Sequence, residues 1–324
     1  MWSFRYGTDA QQTFEMNTLQ KTSLSSYCDA FSELNVGRSK GHERPHKPVM
    51  LLAVMDLIES GRIHDNRIAF EPELLERFKA YFDLVKTDND VLSPILPYFY
   101  LRGDRFWHHQ PLPQQEAVYH ALANPGSMRQ LLSVVDYAYL DEPLFRLLLD
   151  PETREALRQT LIQRYFAPQA AALCDLIRRE RPIGLYEEFL RKRVIDKVAE
   201  SDAPQTDETA RATAFSRVVR AAYDYRCAAC GLRVFLDDGT ILVEAAHIIP
   251  FNVSRDNDPR NGMALCRNHH WAMDAYLLAP IPKKPRPVWR VSDELDRRIE
   301  GQADLINLDG VAILQPRDPR FHPR

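Results

Sequence analysis

Between Tyr225 and Tyr276 the chain carries two short pairs of metal-binding residues, Cys227-x-x-Cys230 and Cys266-x-x-His269, separated by a long insert. No other feature restricts the fold as strongly. Brought together, the pairs supply three cysteines and one histidine, and Zn2+ prefers four thiolate or imidazole ligands in a tetrahedron. The spacing matches structural zinc sites, and Gly231 directly after the first pair supports a knuckle-like turn. Four protein ligands leave no open coordination position, so a metal held this way is structural. Because His270 adjoins His269, His270 as the fourth ligand with His269 incidental remains an alternative.

A second set of residues lies between and just after the pairs. The run ILVEAAHIIP reads as a strand carrying His247 and ended by Pro250. Asn261 follows in DPRNGMALC, and His270 opens a helical segment, HHWAMDAYLL. Strand, loop, strand and helix with His, Asn and His in that order resembles the ββα-metal arrangement of HNH nucleases, over residues 211–280. It is similar to the zinc-stabilised HNH modules of restriction endonucleases. The resemblance implies that His247 is the general base that takes a proton from the attacking water, a task suited to a neutral imidazole. It implies that His270 ligates a single divalent cation, Mg2+ or Mn2+, which stabilises charge developing on the phosphate. Asn261 would hold the loop that orients His247, or offer its carbonyl near the metal. Many of these nucleases place Asp or His directly before the base, as a metal ligand, whereas Ala246 stands here. Glu244, two residues earlier, is one substitute for that acid. Asp274, one turn after His270, is another, and reads equally well as an ordinary helix-surface residue. The competing reading of the whole region is a zinc-binding DNA adaptor without catalysis. Zinc folding alone, however, does not require His247 and Asn261 beside four complete ligands.

The 324 residues give room for two domains. A net charge of −3 does not mark a nucleic-acid binder, so any DNA-binding surface must be local. Of five cysteines, Cys28 and Cys174 stand alone in apolar surroundings and read as buried thiols. The pattern fits a reducing cytoplasm better than a disulfide framework. No apolar run of membrane-spanning length and no signal peptide is visible, so the expected location is cytoplasmic, away from membranes.

Residues 1–20 are polar and aperiodic and read as a flexible tail. A helix is expected over Thr22 to Glu33, then a basic loop with Arg38, Lys40, Arg44 and Lys47 beside His42 and His46. Pro48 suits the first turn of the next helix, VMLLAVMDLIES, which is apolar nearly all round and should be buried, ending at Gly61. RIHDNRIAF reads as a strand or short hairpin, and PELLERFKAYFDLV as an amphipathic helix. The segment SPILPYFYLRGDRFWHHQPLP suggests two strands, LPYFYL and RFWHH, joined by a tight turn. Helical patterns follow to Ala172. A charged helix then leads to SDAPQTDET, the most linker-like composition in the chain. The expected class is α+β: a mostly helical DNA-recognition domain with a small β hairpin (21–170), a charged helical linker (171–210), and a zinc-stabilised ββα domain (211–324).

A nuclease core this small needs a source of target choice. Basic loops supply phosphate contacts, and Pro97, Tyr98, Phe99 and Tyr100 could form an apolar wall. The plainer reading makes the aromatics core and the charges a solvated loop. PHKPVMLLAVMDLIESGRI followed by LPYFYLRGDRFW looks like the sulfur-binding domain of phosphorothioate-dependent restriction endonucleases, over residues 22–165. The matching positions are His46, Lys47 and Pro48, then Pro97, Tyr98 and Phe99, then Gly103 and Trp107. Leu96 replaces the family's usual aromatic before the proline, and Tyr100 its small residue after it. The resemblance implies an apolar cup around Pro97 for the sulfur, with Arg44, His46 and Lys47 holding the remaining phosphate charge. Oxygen in such a cup would lose hydration without gaining a hydrogen bond. Together the two resemblances imply a homodimer that restricts backbone-modified double-stranded DNA in defence, a duplex break needing two active sites. The alternative is an HNH nuclease whose first domain reads another modification, a sequence or a protein partner.

Overall fold

The apolar run after Pro45 becomes the centre of the first of two units. The computed structural model describes residues 23–324 apart from Lys40; the expected tail at 1–20 and Lys40 of the basic loop lie outside these. The first unit runs to Arg178 and includes Asp237–Gly239, and the second comprises Arg179–Leu236 and Thr240–Arg324. In the first unit, helix α1 (23–32) leads to a two-residue hairpin, β1 (Arg38–Ser39) with β2 (His42–Glu43). Helix α2 (His46–Glu59) follows and is buried from His46 to Ile58. Its all-round apolar sequence leaves no face for water, and it packs against α3 (Pro72–Val85), α4 (Ile95–Tyr100), α7 (Glu142–Leu149) and α8 (Pro151–Tyr165). Gly61 ends α2 at φ +67, a left-handed conformation that glycine adopts without a steric penalty. Strands β3 (Trp107–Pro111) and β4 (Val135–Leu140) pair antiparallel across two short helices, α5 (Glu116–Ala121) and α6 (Met128–Leu132). Of the expected RIHDNRIAF strand, Ile68 makes a single bridge to Ala138 of β4.

The α+β class holds, but one expected strand does not. LPYFYL lies in helix α4, which runs on into a 3-10 turn at Leu101–Asp104. Pro97 sits in the first turn, where its missing N–H leaves no bond unmade. Pro97, Tyr98 and Phe99 are buried while Leu96 and Tyr100 are exposed, which is a helical face and not an alternation. Aromatic β-propensity yields to that burial pattern. Tyr98 is therefore core, not a DNA contact: it is fully buried, and its hydroxyl donates to Ile68 O at 2.7 Å. Cys28 and Cys174, expected to be buried, are only half-buried.

Helix α9 (Ala170–Ile195) covers most of the expected linker, and its Ile183, Tyr186, Phe189 and Leu190 are buried in the core of the second unit. Helix α10 (Glu208–Ala222) delivers Phe215, Val218 and Val219 to the same core. There they meet the antiparallel pair β5 (Val243–His247) and β6 (Gly262–Cys266), in register from Val243↔Cys266 to His247↔Gly262. Between the two strands lies the short helix α11 (Phe251–Ser254). Helix α12 (Arg267–Asp274) starts directly after β6, and a second hairpin, β7 (Leu278–Ile281) with β8 (Val288–Val291), follows. Among the described residues, no helix is long and apolar enough to cross a membrane.

Strand β6 lies so close to α10 that only glycine fits at 262. An added Cβ would stand 2.8 Å from Phe215 Cζ and closer still to Val219 Cγ2. Gly262→Ala is expected to lower unfolding stability by about 1–3 kcal/mol. Urea denaturation checks this, and an unchanged midpoint would contradict the close approach.

Candidate active site and metal centre

Two non-glycine residues in left-handed conformation, Asp224 and Tyr225, turn the chain after α10 into the first cysteine pair. Gly231, at φ +71, donates its N–H to Cys227 O at 2.8 Å and closes the knuckle. The knuckle is fastened to β6 by Ala228 N–H donating to Ala264 O, 2.8 Å. Cys266 ends that strand and precedes α12, so His269 falls in the helix's first turn. The Nδ1 of His269 lies 3.5 Å from Cys227 Sγ and 3.0 Å from Cys266 Sγ, and all four ligand atoms lie within 4.8 Å of one another. Tetrahedral zinc with its usual bond lengths sets such atoms about 3.5–3.8 Å apart. Donor chemistry and spacing both fit zinc, with His269 as the fourth ligand. Burial raises the Cys230 and Cys266 thiols, while Cys227, against its own burial, is lowered by the hydrogen bond from His269. A dication would hold all three as thiolates.

His247 occupies the last position of β5. Its ring stacks on Phe215 with centroids 4.0 Å apart and planes at 5°, and Phe251 lies at 5.4 Å. Its Nε2 donates to Asn257 Oδ1 at 3.1 Å. That bond puts the proton on Nε2 and leaves Nδ1 with its lone pair. Burial lowers the proton affinity of His247 from its ordinary 6.5, against the opposing pull of the Asn257 bond, so the ring is neutral at pH 7.

Asn261 is buried and spends its side chain on the loop after β5. Its Oδ1 accepts from Ile249 N–H at 2.9 Å, and its Nδ2 donates to Ile249 O and Asp256 O, each at 3.1 Å. His270 faces the other way. Its Nδ1 lies 3.1 Å from Glu244 Oε2, and its Nε2 lies 3.7 Å from Asp274 Oδ2. Glu244 also accepts from Arg267 Nε at 3.1 Å. The hydrogen bond from His270, and then that from Arg267, hold Glu244 below the usual carboxylate range. One imidazole thus stands between two carboxylates, one at each ring nitrogen. Among the described residues the three cysteines and His269 are the group that closes around one point.

In the first unit, Arg44, His46, Lys47, Pro97 and Tyr100 line one cavity of ≈ 760 Å³, with Val91, Leu96 and Arg102. Lys47 is not a free cation, because its ammonium pairs with the buried Asp104. Nor is His46 a donor to a ligand: its Nε2 donates to Val91 O at 2.8 Å, which leaves Nδ1 buried with no hydrogen-bond partner. Burial lowers its proton affinity too. Arg44 has no carboxylate partner among the described residues, and Arg102 lies over the Phe99 ring at 3.9 Å. Sequence reasoning missed Arg102, Asn257 and Phe215. Nothing in the polar run SRDNDPRN singles out Asn257, and Phe215 reads as plain core.

Residues 227–279, from Cys227 into β7, match the family described as HNH endonuclease. A search of curated proteins returned no match. The second unit therefore carries an HNH endonuclease domain.

Zinc analysis by mass spectrometry is expected to find a single zinc per chain. Cys266→Ser should lose it and melt the second unit while the helices of the first remain. Full retention of zinc and of the second unit's unfolding transition in that variant would contradict the four-ligand centre.

Proposed function

We propose that this chain is a DNA endonuclease that hydrolyses phosphodiester bonds at the end of the β5–β6 pair. The observation that carries the reading is His247, neutral and with its tautomer fixed by Asn257, inside a span that matches HNH endonucleases. Nδ1 of His247 takes the proton from the attacking water. Stacking on Phe215 holds the ring plane, Asn257 holds the ring's rotation, and Asn261 holds the backbone loop that carries Asn257. One imidazole and two carboxylates, from His270, Glu244 and Asp274, suit Mg2+ or Mn2+. When bound, such a cation neutralises charge on the phosphate and the leaving oxygen.

The first unit chooses the target. The apolar wall of its cavity, at Leu96, Pro97 and Tyr100, favours the poorly hydrated sulfur of a phosphorothioate over a phosphate oxygen. Arg44 then takes the anionic charge, a task that Lys47, already paired with Asp104, does not share. Cutting both strands requires two such sites, hence a homodimer, in a restriction role. A cavity of ≈ 760 Å³ is large for one sulfur atom and favours a second reading, in which the unit accepts a bulkier modified group of the DNA.

Matched plasmids (phosphorothioated, base-modified and plain) incubated with Mg2+ or Mn2+ test both readings. The first reading predicts cleavage of the phosphorothioated plasmid alone, abolished in His247→Ala. Cleavage confined to a base-modified plasmid selects the second. Equal cleavage of all three removes the reader, and cleavage by His247→Ala at the parent rate removes the general base.

The pH dependence follows from the environment of His247. The neutral base persists to low pH, so single-turnover cleavage should fall only as pH drops through a value below 6.5. In Asn257→Asp a carboxylate beside the ring favours the imidazolium and should move that limb up by about one unit. In Asn257→Leu the limb should move down. A limb unmoved by either substitution contradicts the assignment.

A further inference from the structure

The β7–β8 hairpin ends in a six-residue loop, Pro282 to Pro287, beyond the span that matches the nuclease family. Its three cations, Lys283, Lys284 and Arg286, are all exposed. Among the described residues, none of them has a carboxylate partner. Several other cations of the same unit are paired: Arg260 and Arg324 with Asp258, Arg290 with Asp293 and Asp309, and Arg298 with Asp296. In a chain of net charge −3, an unneutralised basic loop is a local exception.

Its position is equally specific. Pro282, Lys283 and Lys284 line a cavity of ≈ 390 Å³ whose other wall includes Ile248 and Met263. Ile248 follows His247 directly, and Met263 is the register partner of Ala246. The loop tip therefore stands at the His247 end of the strand pair, on the face opposite the His247 ring, which stacks on Phe215 of α10. It is also held firmly. Leu278, Trp289 and Val291 are buried at the base of the hairpin, and Pro287 O accepts from Ile313 N–H at 3.0 Å. Prolines at 282, 285 and 287 fix φ at half of the loop positions, so little chain freedom is lost when it binds a ligand.

We infer that the β7–β8 loop is a phosphate clamp that grips the backbone of duplex DNA beside the His247 site. The inference rests on the nuclease reading and names a second contact for the same substrate. Three closely spaced cations with no acceptor or aromatic group among them match a ladder of backbone anions. Contacts of this kind to the backbone position DNA without selecting sequence.

The test is anisotropy of a labelled, unmodified duplex titrated with the full-length protein, without added divalent cation, from 50 to 200 mM salt. Each lost phosphate contact flattens the log–log salt slope by about 0.9. The combined variant Lys283→Ala, Lys284→Ala, Arg286→Ala is therefore expected to flatten it by about 2 to 3 units. Over that salt range the parent should lose about 40-fold more affinity than the variant. The variant's zinc content, and its single-turnover cleavage at saturating DNA, should match the parent's. Lys283→Arg with Lys284→Arg should keep the parent slope. An unchanged slope in the alanine variant overturns the clamp, while intact His247-dependent cleavage leaves the nuclease reading standing. Loss of cleavage at saturating DNA overturns it in favour of a role in the chemistry. A parent that does not bind the unmodified duplex overturns the clamp, and one that also cuts none of the three plasmids overturns the nuclease reading with it.

Discussion

The rest of the second unit hangs on the four ligands that join the knuckle after α10 to the β6–α12 junction. Cys266 ends a strand and precedes a helix, so fixing its sulfur fixes both elements at once. With His269 held in the first turn of α12, the next residue, His270, is aimed at Glu244 on β5. Structural zinc in small domains binds with about 10–16 kcal/mol, against a net folding stability of about 5–15 kcal/mol for a whole domain. Zinc bound at this set would therefore add a large share to the stability of a unit whose central strands are five residues long.

At the other end of the strand pair the constraint is polar. Asn261 replaces the regular ladder beyond His247 with side-chain bonds to the loop, which carries Asn257 back to the imidazole. The two histidines then differ by environment alone. His247 is pressed against an aromatic ring and bonded to a neutral amide, which suits a base. His270 stands between two carboxylates, which suits a cation. In the proposed reading one residue type serves two roles by virtue of what surrounds it.

The zinc ligands and the His247 strand were legible because both signals are local: fixed short spacing, and an apolar run closed by proline. Asn261 was singled out by the resemblance to HNH nucleases, and its bonds to Ile249 and Asp256 hold the loop after β5. Asn257 was not, since its importance comes from folding a ten-residue excursion back onto the ring. In the first unit the apolar helix after Pro45 was plain. The strand expected at LPYFYL was wrong, since proline in a helix's first turn followed by consecutive aromatics mimics a bounded β segment. Sequence likewise showed Lys47 as a cation but not Asp104, 57 positions away, which cancels it. Pairings made by the tertiary fold carry no local signature.

In the proposed reading one metal holds the fold and a different one serves the chemistry. Anomalous diffraction from crystals soaked in Mn2+, recorded on either side of the zinc and manganese edges, tests it most directly. The account predicts a zinc peak enclosed by Cys227, Cys230, Cys266 and His269, and a separate manganese peak beside His270 with Glu244 or Asp274. Manganese bound only within the cysteine set, or an absence of zinc there, would contradict it.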